Sequence, residues 1–93
     1  MPGSLYARLQ RELEELEAAH AGRSDWIRLS TVVLEAVMQA QAIVIDKQRA
    51  ALDAARSEAD ADEVRRLRQE ARDALRYVDN MTGLYQRIKG KLG

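Results

Sequence analysis

Residues 61–92 read ADEVRRLRQEARDALRYVDNMTGLYQRIKGKL. Nine apolar side chains recur there at alternating steps of three and four: Val64, Leu67, Ala71, Ala74, Val78, Met81, Tyr85, Ile88 and Leu92. Such steps return to one side of an α-helix. Four heptads without a polar slip specify one long amphipathic helix with a coiled-coil-like seam. A seam of this kind needs a partner helix, from the same chain or from another.

The surrounding composition supplies the partners. Ala, Leu, Arg, Glu and Gln dominate, and all are strong helix formers. The one proline is Pro2, so nothing later in the chain forbids a helix. A length of 93 residues sets a single helical domain, 1–93, as the expectation, with a modest core that association would reinforce. The expected fold is therefore all-α: an antiparallel three-helix bundle in which the second and third helices outlast the first and extend as a coiled-coil-like hairpin.

The first helix is expected over about 4–21. Leu5, Leu9, Leu13 and Leu16 form its stripe, Ser4 is placed to cap it, and Gly22 suits the left-handed residue that ends many helices. The second is expected over about 24–58, capped by Ser24 or Asp25. Its apolar residues fall on two sides: Ile27, Leu34, Met38 and Ile45 on one, and Leu29, Val33, Val37, Ala40 and Val44 on the other. A helix apolar around so much of its circumference has several neighbours. The third is expected over about 61–91, with Asp60 and Glu63 at the spacing of a capping box. Gly83 inside it costs roughly 1 kcal/mol against Ala and predicts a kink rather than a break, because the seam keeps its phase there.

Residues 26–45 carry two competing readings. Their length suits a membrane span of about 20 residues. Arg28, Ser30, Glu35, Gln39 and Gln41 interrupt the run, so no span is expected. The pieces Trp26-Ile27-Arg28-Leu29-Ser30, Glu35 and Ile43-Val44-Ile45 also resemble, at similar spacing, a segment of the gas-vesicle shell proteins. That resemblance implies a β-hairpin. The chain departs from the family between these pieces, where Leu34 to Ala42 is helix-forming and lacks a hairpin turn signal, so a helix is expected.

Short loops make the three helices antiparallel neighbours. The first can reach only the opening half of the second, where the apolar surface is widest. The far half pairs Ala51, Leu52 and Ala55 with Val64, Leu67, Ala71 and Ala74, small enough for two helices to approach closely. At the bundle end the apolar supply exceeds what one three-helix core can hold. Trp26, Ile27, Met38, Tyr77 and Leu84 are the expected surplus, and surplus apolar surface marks an interface.

No residue pattern carries catalysis. Cysteine is absent, which excludes disulfides and thiolate chemistry. His20 is the only histidine and has no nucleophile or second ligand set beside it in the sequence. A metal, a cofactor and an enzymatic role are therefore not expected. Arg65, Arg68, Arg72 and Arg76 share a face of the third helix and could track phosphates. The acids between them and a net charge of zero argue for local neutralisation, so nucleic acid is not the expected partner.

The expected function is a non-enzymatic helical interaction or assembly module, an adaptor, scaffold or chaperone-like protein. Its expected partners are a second copy in a homodimer and another helical protein. The alternative is a small nucleic-acid-binding regulator using the arginine strip. No basic-then-apolar leader is visible at the start, and cytoplasmic location is expected. Arginine outnumbers lysine twelve to three, which fits a GC-rich bacterium or its phage. Circular dichroism should give at least roughly 80% helix, far above the usual third; a substantial strand signal would restore the hairpin reading of residues 26–45.

Overall fold

The computed structural model describes residues 2–93, with side chains from Leu5 onward. Helix α1 spans Pro2–Ala18, α2 Arg23–Arg56 and α3 Ala61–Leu92. About 90% of the chain is helical, and no strand occurs among the described residues. The helices form an antiparallel bundle in which α2 and α3 run on together beyond α1. The result is a rod of 55 × 19 × 16 Å. Its radius of gyration is 16.8 Å, against roughly 12 Å for a compact chain of this length. Residues 26–45 lie wholly within α2, so the hairpin implied by the gas-vesicle resemblance does not form.

The helix ends differ from expectation in instructive ways. The start of α1 is at Pro2, a residue suited to a first turn; Ser4, expected as its cap, lies outside the described side chains. The left-handed residue that ends α1 is His20, at φ 51°, whereas Gly22 is extended at φ −78° and ψ 172°. The reversal comes early because the Ala21 N–H donates to the Leu16 carbonyl, 3.0 Å away, in a Schellman-type bond. Gly22 then stands at the N-cap of α2, and Ser24 and Asp25 fall inside its first turn. Asp25 still favours the positive end of the helix dipole there.

The other corner repeats the device. Glu58 adopts φ 59°, and the Ala59 N–H donates to the Ala54 carbonyl at 3.0 Å. A non-glycine residue in this conformation costs about 1–2 kcal/mol. Asp60 occupies the N-cap of α3, but its side chain makes no capping hydrogen bond, so the capping box with Glu63 is not formed. The third helix runs unbroken through Gly83, beside which a Cβ would meet open space.

Packing is graded along the rod. At one end Leu9 and Leu13 of α1 meet Trp26, Leu29, Val33 and Val37 of α2 and Met81, Leu84 and Ile88 of α3. Further along, where α1 has ended, Ala40 and Val44 pack on Val78, with Ala74 and Tyr77 at the edge. Beyond that only Ala51 and Ala71 are buried. Leu52, Ala55 and Leu75 are exposed, so the far seam is narrower than the sequence pattern suggests. No polar or charged residue among those described is buried, and the core is held by apolar contact alone.

Polar contacts fasten the same thick end. The Arg23 guanidinium donates to the Leu92 carbonyl at 2.9 Å, joining the start of α2 to the end of α3. Glu17 joins α1 to α3 through Lys91 at 2.9 Å and Arg87 at 3.6 Å. The hydrogen bond from Lys91 holds the Glu17 carboxyl below the ordinary glutamate range. The Lys91 ammonium also lies 5.7 Å from the centroid of the Trp26 ring. In the two-helix arm, the one ion pair between helices among the described residues is Lys47 to Glu70, at 4.0 Å and half in solvent.

A thick, fastened end and a thin, alanine-lined end predict unequal local stability. Amide hydrogen exchange should be faster over residues 46–74 than over the α1-covered parts of α2 and α3. Equal protection along both long helices would mean that another surface covers the arm.

Candidate interaction surface

At about 100° per residue, Trp26, Leu29, Val33, Val37, Ala40, Val44 and Ala51 fall on one side of α2, the side turned to the core. Ile27, Leu34, Met38, Ile45 and Leu52 fall within about 40° of one another on a different side, roughly 120° away. These five are exposed by 46%, 40%, 61%, 54% and 51% respectively. They form one apolar row along most of α2. Thr31, Gln41 and Gln48 occupy the intervening positions and are exposed too.

The first and third helices account for only part of the remaining circumference of α2, and Val32 and Ile43, 43% and 51% exposed, stand open on a flank away from the row. The first helix lies against the flank of Leu29, where a shallow hollow is bounded by Glu12, Glu15, Leu16, Asp25, Arg28 and the exposed Val32. The third helix covers the buried stripe. Beside the apolar row, Gln48, Leu52 and Ala55 border a second hollow with Arg68, Ala71 and Arg72 of α3. Leu75, also on α3, is 44% exposed. Neither α1 nor α3 covers the row.

The expected interface residues therefore separate. Ile27 and Met38 lie on the open row. Trp26 and Leu84 do not: they are 6% and 2% exposed and belong to the main core. Trp26 closes the end of that core beneath Lys91, and Leu84 is covered because α1 lies against this side of α3. Tyr77 is half-buried between the two core clusters, and that burial pushes its phenol pKa up. Leu34, Ile45 and Leu52 complete the row. Their 3-4 spacing from Ile27 and Met38 was the signal available in the sequence, but it could not tell which of two apolar stripes α3 would cover.

The arginine strip lies along the exposed side of α3. Arg65 pairs with Asp62 at 3.1 Å, and neighbouring Arg66 pairs with Glu63 and Glu70 at 3.8 and 3.4 Å. Arg68, Arg72 and Arg76 make no ion pair among the described residues. The strip is interrupted rather than continuous in charge, because Gln69 and Asp73 bond each other at 2.9 Å within it.

Chemistry finds little to build on. His20 is exposed at the α1–α2 corner. Among the described residues, no three His, Asp or Glu side chains converge as metal ligands, and no buried side-chain nitrogen or oxygen lacks a partner. Among the described residues, the one helix apolar and long enough to cross a membrane by composition is α2, with a mean hydropathy of 1.4 over its most apolar window. A third of that window is buried against the rest of the molecule. Compared with known proteins, the chain matches no family model, no curated protein and no solved structure.

Core and row should respond differently to truncation. Leu84→Ala should cost about 2–5 kcal/mol in urea unfolding, as buried leucines do. Met38→Ala should stay within about 0.5 kcal/mol under dilute conditions, where only the isolated chain contributes. Equal costs would mean that Met38 is part of the folding core.

Proposed function

We propose that this chain is a non-enzymatic helical interaction module that works through helix–helix contact and self-association, as an assembly, adaptor or chaperone-like protein. The observation that carries the reading is the apolar row Ile27, Leu34, Met38, Ile45 and Leu52 on α2. Its five side chains are 40–61% exposed and neither neighbouring helix covers them, and a contiguous apolar row of this kind marks an interaction site. The most economical partner is a second copy, forming a twofold dimer, because a self-complementary patch closes on itself. The remaining hollows along the rod leave room for another helical protein. The cytoplasm is the proposed location.

A nucleic-acid role for Arg65, Arg68, Arg72 and Arg76 has less support. Net charge is zero, and acids alternate with the arginines along the same helix. Light scattering at low micromolar concentration tests the main reading. It should give twice the 10.5 kDa of one chain, and Met38→Asp should return the mass to that of a single chain with the helix content unchanged. A wild-type mass of one chain under these conditions would overturn self-association.

A further inference from the structure

The apolar row of α2 has an internal symmetry. Written with its intervening polar positions it runs Ile27, Thr31, Leu34, Met38, Gln41, Ile45, Gln48, Leu52. The steps are 4, 3, 4, 3, 4, 3 and 4 residues, so the row is a heptad seam of alternating d and a positions. Read backwards it keeps its character. Ile27 corresponds to Leu52, Thr31 to Gln48, Leu34 to Ile45, and Met38 to Gln41. Apolar matches apolar and polar matches polar in three of these four pairs, and Met38 with Gln41 sits at the centre.

Resting on the reading that the chain self-associates, we propose that two copies pair through α2 in antiparallel, about a twofold axis level with Gln39 and Ala40. The layers are then Ile27 against the second copy's Leu52, Thr31 against Gln48, Leu34 against Ile45 and Met38 against Gln41. Each layer joins a d position to an a position, the match that an antiparallel knobs-into-holes seam requires. Each contact occurs twice, as an isologous interface demands.

Several features of the molecule favour this occupant and this register. The seam from Ile27 to Leu52 is about 37 Å long. Its five exposed apolar residues and their polar neighbours offer a face on the order of the 800 Å² that a partner in a stable pair contributes. The first helix lies on the opposite flank of α2, against Leu29, and leaves the approach clear. The outer rim of the seam carries Arg28, Glu35, Asp46, Arg49 and Asp53, a mixture of signs with no block of one charge to repel its own copy.

Neighbouring registers are poorer. A slip of one heptad toward the N-terminus pairs Ile27 with Ile45 and Leu34 with Met38 but leaves both copies of Leu52 bare. The opposite slip strands Ile27 and sets Ile45 against Gln41. In the proposed register all five apolar residues are covered. The two Gln41 amides straddle the axis, a polar centre of the type that fixes register at some cost in stability.

Cysteine pairing tests the register, since the chain has no cysteine of its own. The positions used are exposed, so folding is kept; circular dichroism of each variant checks this. Leu34→Cys and Ile45→Cys chains are mixed under a glutathione redox buffer and read on a non-reducing gel. The mixture should cross-link at least about tenfold faster than either variant alone, because pairing sets the facing thiols at high effective concentration. Ile27→Cys mixed with Ile45→Cys should stay at the background rate, since those positions are one heptad, about 10 Å, out of layer.

Efficient cross-linking of one variant with itself would mean a parallel pair and overturn the proposal. So would preferential linking of the Ile27 and Ile45 pair, or no linking in a chain that light scattering finds dimeric; in these cases self-association stands and only the register fails. A wild-type chain that scatters as a monomer overturns both.

Discussion

Everything in this molecule hangs on the contact between α2 and α3. The two helices lie antiparallel in one register, which sets Val37 beside Met81, Ala40 beside Val78, and Lys47 beside Glu70. That register decides which stripe of α2 is consumed by folding. It also brings Arg23 to the last carbonyl of α3 and places Trp26 under Lys91. The first helix adds a third wall at one end but does not change the pairing. Among the described residues no buried polar group fixes the register, so it is set by the graded sizes of the apolar residues and by a few contacts at the thick end.

The pairing leaves α2 with two apolar faces of different fate. One is spent inside the chain, and the other, centred on Met38, remains in water. A helix so apolar meets the compositional test for crossing a membrane, yet a third of its most apolar stretch is already enclosed by protein. Val32 and Ile43 are exposed as well, on a separate flank. The face centred on Met38 is a narrow line of five apolar residues with polar residues at regular intervals, the spacing of a heptad seam.

The long helices and the gradient along them were legible in the sequence, because a 3-4 pattern held over four heptads admits one interpretation. The assignment of α2's two stripes was not. Both Trp26 and Ile27 are large and apolar, they are adjacent, and they point about 100° apart; only the position of α3 selects between them. Leu84 was misplaced for the same reason, since its burial depends on which side of α3 receives α1. The corners were also beyond the pattern. His20 takes the left-handed conformation expected of Gly22, and Glu58 takes one in a turn that has no glycine, because the chain must reverse there whatever residue stands at the bend.

The gradient in side-chain size has a consequence for the order in which the chain can fold. Contacts nearest the Ser57–Asp60 turn close the shortest loops and have the smallest entropic cost. They are also the poorest in buried area, since only Ala51 and Ala71 are covered there. The contacts rich in area, such as Trp26 and Leu29 against Ile88, close loops of about sixty residues. Zippering from the turn therefore gains little at its first steps, and burial grows only when Ala40 and Val44 meet Val78 and then when the three-helix end closes. Most of the buried apolar area thus lies at the end with the longest loop closures, where all three helices converge.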